Sequence, residues 1–150
     1  MKAIPITQEN RKEAEALRVC PDQIHYIETV EQCMKEADEI SDWNPVGLYI
    51  GKEMVGFAMY GYICEPKYTR LWFDRLLIDH KYQSLGYGKQ AFSLILEKIR
   101  QTYPGVDIYL SVYDENIRAI SMYKKFGFEY TGELDTQGEK IMKCTQRGVY

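Results

Sequence analysis

The chain has 150 residues, 45% of them hydrophobic and 27% charged, which is typical of one globular domain spanning 1–150. Its net charge of −3 argues against nucleic-acid binding, and no stretch reaches the roughly 20 apolar residues that a membrane span needs. Because the first residues lack the apolar core of a signal peptide, a cytoplasmic location is the expectation. The four cysteines and two histidines have no zinc-ligand spacing, so no metal site is predicted.

The N-terminal half predicts a strand, two helices and an antiparallel meander. Residues 2–6 predict the first strand, and Thr7 suits the N-cap of a helix over 8–18. A second helix is predicted from Pro21 to a stop at Asn44-Pro45, because apolar residues recur there at spacings of three and four. The three meander strands are predicted, with a tight turn between the first two, at 46–50, 54–63 and 70–78.

The C-terminal half predicts two helices and three further strands. A helix over 86–100 buries a stripe formed by Ala91, Leu94, Ile95 and Ile99. The remaining elements are a strand, a helix and a hairpin, predicted at 106–112, 116–126, 128–134 and 139–144. The order β-α-α-β-β-β-α-β-α-β-β predicts an α/β (α+β) fold: a mixed, mostly antiparallel sheet of six to seven strands flanked by four helices.

The loop after the third meander strand carries the strongest functional signal. A buried strand ends at Ile78-Asp79, a polar turn follows, and Gly86 and Gly88 then open an apolar helix. Glycines allow close approach of the backbone to a ligand, and the free N–H groups of a helix N-terminus attract anions. A P-loop and a G-x-G-x-x-G dinucleotide fingerprint are both excluded by the residues present. A tight strand-to-helix turn without a ligand remains the structural alternative.

Two segments together resemble the GNAT N-acetyltransferase superfamily. The first is Gln83-x-x-Gly86-x-Gly88, which is similar to its motif A, and the second is Asn116-x-x-Ala119-x-x-x-Tyr123-x-x-x-Gly127-Phe128, which is similar to its motif B. The strand order agrees with that superfamily over essentially the whole chain. The resemblance therefore implies the GNAT fold, acetyl-CoA as acetyl donor and no metal.

The resemblance also implies roles for individual residues toward acetyl-CoA. The backbone of Leu76, Leu77 and Ile78 would pair with the pantetheine arm. Asn116 would bind the pantetheine region, although asparagine equally suits a helix N-cap. Lys125 would reach the phosphates. The pyrophosphate would lie against the amides of Gln83, Ser84, Leu85, Gly86, Tyr87, Gly88 and Lys89.

Two side chains are candidates for catalysis. Tyr123 resembles the tyrosine that protonates the leaving thiolate, which a phenol can do at neutral pH; packing in the core is the alternative role. An ammonium has no lone pair, so the acceptor amine needs a base. Asp74 lies within an apolar strand that the resemblance places beside the cofactor, and it could be that base, a contact to the amine, or the partner of a neighbouring arginine. Glu28, Glu31 and Tyr113 are secondary candidates.

The resemblance implies that the first two helices border the acceptor site, so the charge of the segment 21–42 bears on the choice of acceptor. It holds seven acids and one lysine, a net charge of −6, and such a segment attracts polycations. Trp43 and Tyr49 could add cation–π faces, whereas a solvated helix face would explain the acids without any substrate. Segments 26–33, 45–49 and 74–79 resemble bacterial spermine/spermidine N-acetyltransferases.

The predicted function is the transfer of acetyl from acetyl-CoA to a primary amine of spermidine or spermine, by direct attack in a ternary complex. The alternatives are acetylation of another cationic small molecule or of a protein amine, and a non-catalytic acetyl-CoA-binding module. GNAT relatives are often dimers, so the resemblance also suggests a homodimer, paired through the edge of the C-terminal hairpin.

Overall fold

The computed structural model describes residues 1–21 and 28–146. The sheet strands, in chain order, are β1 Lys2–Pro5, β2 Trp43–Ile50, β3 Glu53–Cys64, β4 Thr69–Ile78, β5 Ile108–Val112, β6 Glu129–Leu134 and β7 Lys140–Cys144. The helices are α1 Arg11–Glu15, α2 Val30–Glu39, α3 Tyr87–Thr102 and α4 Ile117–Lys125, and a 3-10 turn spans His80–Tyr82.

The seven strands form one sheet in the order β1-β2-β3-β4-β5-β7-β6. Neighbouring strands are antiparallel except β4 and β5, which are parallel because α3 carries the chain across the sheet between them. The predicted mixed, mostly antiparallel sheet with four flanking helices is therefore confirmed for the described residues.

The helices cover the two faces of the sheet. On one, which we call the α3/α4 face, Phe92 packs between Phe73 (ring centroids 4.9 Å apart) and Phe128 (5.9 Å), at the centre of the larger core. The residues of α3 that are fully buried are Ala91, Phe92, Ile95, Leu96 and Ile99, whereas Leu94 is only half-buried. On the α1/α2 face, Cys33 and Met34 of α2 pack against Phe57 and Met59 of β3.

Several element boundaries differ from those predicted. Helix α1 begins at Arg11 because the Asn10 side chain accepts the Thr7 N–H (2.7 Å) and holds residues 7–10 in turns. Helix α2 begins at a capping box formed by Thr29 and Gln32, and the earlier part of that predicted helix lies mostly outside the described residues. Asn44-Pro45 does not end a helix but lies inside β2, where the Pro45 carbonyl accepts the Ile6 N–H.

The parallel pair β4–β5 separates soon after it forms. The two strands, both wholly within the described residues, pair only at Leu71 with Ile108 and at Trp72 with Tyr109. Beyond Trp72, strand β4 contains a bulge: Phe73 faces Tyr60 and Arg75 faces Met59, so Asp74 is the extra residue without a partner on β3. The bulge and the separation together open a gap in the middle of the sheet.

The end of β4 that borders this gap lies against a glycine of β3. Gly56 pairs with Ile78, and a β-carbon at Gly56 would lie 2.5 Å from the carbonyl oxygen of Leu77. We expect Gly56→Ala to lower the free energy of unfolding by about 1–3 kcal/mol, because the backbone of β4 must shift. Urea denaturation measures this change.

A matched control is Gly88→Ala in α3, where no heavy atom lies within 4 Å of the added β-carbon. Alanine is favoured over glycine in a helix by about 0.8–1 kcal/mol, so this variant should be at least as stable as the wild type. Equal stability of Gly56→Ala and the wild type would show that β4 is not constrained by this contact.

Candidate active site

A cleft of about 840 Å³ occupies the gap between β4 and β5. Its walls come from the end of β4, the loop that follows, the first turn of α3, the C-terminal end of β5, α4 and the β6–β7 loop. The cleft also reaches Glu28 and Gln32 on the α1/α2 face. It therefore connects the two faces of the sheet through the place where the strands separate.

The loop at one end of the cleft is anchored by a buried acid. One oxygen of Asp79, which is 3% exposed, accepts the Arg18 N–H (3.0 Å) and the other accepts the Lys81 N–H (3.0 Å). In addition, the His80 N–H donates to the Arg18 carbonyl (2.7 Å). These bonds join the chain after α1 to the 3-10 turn and so fix the start of the loop.

The rest of the loop presents its backbone to the cleft. The Gln83 side-chain amide donates to the Ile78 carbonyl (2.9 Å), which folds the loop back onto the end of β4. Ser84 and Gly86 both have positive φ, of 66° and 81°, and open space lies in front of Gly86 and Gly88. The first N–H groups of the 16-residue helix α3 have no partner within the helix, so this end of the cleft suits an anion such as a pyrophosphate.

The exposed edge of β4 forms the floor of the cleft. Leu76, Leu77 and Ile78 pair with β3 on one side, whereas their other edge faces the gap left by β5. Such an edge offers backbone groups to an extended ligand that carries amides of its own, as a pantetheine arm does. An acyl-CoA therefore fits this half of the cleft, with its diphosphate at the loop and its arm along β4.

The other end of the cleft is acidic. Arg75 lies at its centre, with Nη1 2.7 Å from Asp74 Oδ2, and Nη2 2.9 Å from Glu28 Oε2 and 3.6 Å from Glu36 Oε2. Asp74 Oδ2 and Arg75 Nε are buried and have no hydrogen-bond partner among the described residues, so Asp74 Oδ2 contacts Arg75 as an ion pair only. Three carboxylates thus share one guanidinium.

The surroundings of Asp74 weaken its acidity. Burial raises the pKa of Asp74 to about 6, Arg75 acts in the opposite direction, and the negative charge of Glu28 raises it further. Burial likewise raises the pKa of Glu36. A carboxyl that titrates near neutral pH can both bind a cation and accept a proton, which are the two roles considered for Asp74.

Tyr123 of α4 lies at the middle of the cleft. Its ring packs on Phe92 (5.1 Å between centroids) and Phe128 (6.3 Å), and part of it reaches the cleft wall, so packing and access coexist. Burial raises the pKa of Tyr123 to about 12, and the charge of Glu139 adds to this effect. The phenol consequently keeps its proton at neutral pH. Asn116 precedes α4, lines the cleft and makes no side-chain capping bond.

The structure brings most of the predicted site residues to this cleft. Those on its wall are Glu28, Asp74, Leu76, Leu77, Ile78, Gln83, Ser84, Gly86, Tyr87, Gly88, Lys89, Tyr113, Asn116 and Tyr123. Those that do not line it are Glu31, Trp43, Tyr49, Leu85 and Lys125.

Two of the outlying residues have other partners. Trp43 packs against core clusters formed mainly by residues of β3, β4 and α2, and the Tyr49 hydroxyl accepts the Asn10 side-chain N–H (3.4 Å). Leu85 is 61% exposed beside the loop. Conversely, sequence reasoning missed Arg75 as the centre of the acidic end, and it missed Ser111 and Glu139 on the wall. An arginine next to the buried Asp74 was a usable signal, whereas Glu139 reaches the site only through the pairing of β7 with β5.

A sheet that parts at an anion-binding loop, with an acidic pocket beyond the gap, is the arrangement of an acyl-CoA-dependent acyltransferase. Residues 11–128 match the acetyltransferase (GNAT) family, and the chain belongs to that family. It is 41% identical over 141 residues, covering 91% of this chain and 93% of the relative, to the spermine/spermidine N(1)-acetyltransferase of Bacillus subtilis strain 168.

Solved structures support the fold assignment. A spermidine N-acetyltransferase from Vibrio cholerae in complex with CoA and spermine is 16% identical, with a TM-score of 0.72 over 97% of this chain and 95% of that one. The aminoglycoside acetyltransferase AAC(6')-Ib in complex with coenzyme A is 17% identical, with a TM-score of 0.77 over 96% and 94%. Separately, the described residues contain no cluster of side chains suited to a metal and no helix long and apolar enough to cross a membrane.

Arg75 offers a direct test of the charge balance in the acidic end. We expect Arg75→Met to lower the free energy of unfolding at pH 7 by about 3 kcal/mol, because it leaves Asp74 and Glu28 as uncompensated charges in a partly buried site. The loss should shrink at pH 5, since Asp74, with its pKa near 6, then takes up a proton. Urea denaturation at the two pH values measures both effects.

Arg11 is the matched control, because it also bridges two carboxylates, Glu15 at 3.2 Å and Asp38 at 2.8 Å. Its side chain is 31% exposed against 16% for Arg75, so Arg11→Met should cost less than about 1 kcal/mol. Equal losses for the two variants would contradict the special position of Arg75.

Proposed function

We propose that this acetyltransferase moves the acetyl group of acetyl-CoA to a primary amine of a polyamine such as spermidine or spermine. The observation that carries the proposal is the cleft itself, which joins an anion-binding loop to a carboxylate-rich pocket at one gap in the sheet. The Bacillus subtilis relative, to which 91% of this chain aligns, is a spermine/spermidine N(1)-acetyltransferase, which supports the same acceptor class.

The donor would be held by the half of the cleft that suits an anion and an extended arm. The amides from Gln83 to Lys89 would bind the pyrophosphate, and the edge of Leu76–Ile78 would bind the arm. Asn116 lines the same cleft and makes no side-chain capping bond, so its side-chain amide would bind the arm. When bound, acetyl-CoA supplies an activated acetyl group as a thioester.

The acceptor would be held by charge. Glu28 and Asp74 line the cleft, and of the described basic residues only Arg75 forms ion pairs with them. Burial raises the pKa of Tyr113, and the nearby negative charges of Glu139, Asp135 and Glu28 raise it further. Ammonium groups would make charge-assisted hydrogen bonds to these carboxylates, and a chain with several ammonium groups would engage several of them.

Catalysis would proceed by direct attack within a ternary complex. Asp74, the bulged residue at the gap, would orient the ammonium group, and a carboxylate of the cleft would take its proton. Tyr123, protonated at neutral pH, would donate its proton to the departing sulfur. The two sides of the cleft would thereby supply the groups that an acyl transfer to an amine requires.

An amine panel with detection of free thiol tests the proposal. With acetyl-CoA, we expect spermidine and spermine to release thiol with a kcat/KM at least about tenfold above that of an aminoglycoside or a peptide α-amine, because a flexible linear chain can bring several ammonium groups to the carboxylates at once. A higher value for the other amines would establish a different acceptor. Binding of acetyl-CoA without thiol release from any amine would favour the non-catalytic alternative.

Tyr123→Phe tests the proton donor. We expect kcat to fall by roughly 100-fold while the Kd for acetyl-CoA stays within about twofold, since the phenol acts on the leaving group and its ring still packs on Phe92. Single-turnover kinetics and calorimetry measure the two quantities. An unchanged kcat would remove Tyr123 from the chemistry.

The oligomeric state and the cellular location of the enzyme are also proposals. We infer a homodimer paired through the outer edge of β6, where Tyr130 and Leu134 are 40% and 63% exposed, and sedimentation tests it. We further infer a cytoplasmic location, with which the four unpaired cysteines, Cys20, Cys33, Cys64 and Cys144, agree.

A further inference from the structure

Glu139 is a carboxylate on the cleft wall, and hydrogen bonds to Asp135 hold its backbone in place. It directly precedes β7, its N–H donates to Asp135 Oδ1 (2.8 Å), and its carbonyl accepts the Asp135 N–H (2.9 Å). The Ser111 hydroxyl donates to Glu139 Oε2 (3.4 Å) from the neighbouring strand. Ser111 alternates with the core residues Leu110 and Val112, so it and Glu139 lie on the α1/α2 face, where the acidic end of the cleft opens.

The two carboxylates nearest the gap differ in their partners. Asp74 lies 2.7 Å from a guanidinium nitrogen of Arg75, whereas Glu139 forms no ion pair with any described residue. Arg75 acts on Glu139 only through its longer-range charge. A carboxylate in contact with a guanidinium is the weaker proton acceptor of the two, because its ionised form is stabilised.

Glu139 is also the carboxylate that acts on Tyr123. Both side chains line the cleft, and Glu139 is the one charged group among the described residues whose field reaches the phenol strongly enough to raise its pKa. The proton donor and this carboxylate therefore both border the cleft, one from α4 and the other from the β6–β7 loop. Asp74 lies on the opposite wall, on β4.

We propose that Glu139 is the catalytic base that takes a proton from the acceptor's ammonium group, while Asp74 orients that group; the inference rests on the acetyl transfer proposed above. Glu139 accepts one proton, and the freed nitrogen lone pair forms the new C–N bond as the C–S bond breaks. Tyr123 gives its proton to the sulfur and regains one from the nitrogen, which becomes an amide. Glu139 then releases its proton to solvent, so that charge and atoms balance.

The groups around Glu139 adapt it to this role. Burial raises the pKa of Glu139, a hydrogen bond and the charge of Asp135 raise it further, and Arg75 and the Ser111 hydroxyl act the other way. The next residue, Lys140, forms an ion pair with Asp114 (3.0 Å) rather than with Glu139. The titratable and polar groups that face Glu139 are thus Asp135, Arg75, Ser111, Tyr113 and Tyr123.

The test is the pH profile of kcat/KM for spermidine in the wild type and four variants. Glu139→Gln should lower kcat at pH 7.5 by at least about 100-fold and abolish the acid limb, and Glu139→Asp should recover part of the rate. Asp135→Asn keeps the oxygen that accepts the Glu139 N–H but removes a charge, so the acid limb should move to lower pH. Asp74→Asn should raise KM for spermidine and leave the limb in place.

The outcomes separate this inference from the proposed function. Melting temperature and acetyl-CoA affinity near wild-type values establish that each variant is folded. If Glu139→Gln does not fold, Glu139→Asp takes its place in the test. An unshifted limb in the Glu139 variants, or its loss in Asp74→Asn, would overturn the role of Glu139 while the wild type still turns over. If the wild type released no thiol with any of the amines, both conclusions would be overturned together.

Discussion

The separation of β4 from β5 after Trp72 is the constraint on which the rest of the site depends. Two pairs of residues hold the parallel strands together, and the bulge at Asp74 turns β4 away before the pairing can continue. An intact parallel pair would leave neither a free edge at Leu76–Ile78 nor an opening between the two faces of the sheet. Because loop, edge and acidic pocket all border this one gap, a ligand from one face can meet a ligand from the other.

The donor half of the site could be predicted from sequence because it is local. Gln83 to Lys89 form a continuous segment, and the buried strand before it and the apolar helix after it already define a helix N-terminus with glycines in front. What the sequence did not indicate is the anchoring of this loop. Asp79 binds the Arg18 N–H, 61 residues away in the chain, and no periodicity or turn signal reports such a bond.

The acceptor half could be predicted only in part, because it is assembled from distant elements. Trp43 and Tyr49 follow the acidic segment in the chain, but β2 lies two strands from the gap, with β3 between it and β4. Glu139 is remote in sequence from Asp74, yet the antiparallel pairing of β7 with β5 carries it to the gap. The order in which strands assemble is a tertiary property, so the sequence revealed the class of acceptor more readily than the residues around it.

Charge balance connects the stability of the acidic end with its specificity. Asp74, Glu28 and Glu36 surround a single guanidinium, and burial raises the pKa values of Asp74 and Glu36, which signals that full ionisation is unfavourable in the free protein. A polycation entering the pocket would supply the missing positive charge, lower those pKa values and release protons. A neutral or anionic acceptor would leave the carboxylates uncompensated and also lose their hydration. Such a pocket would therefore discriminate by the electrostatic cost that its own carboxylates impose, and an acceptor with several ammonium groups would relieve more of that cost than one with a single charge.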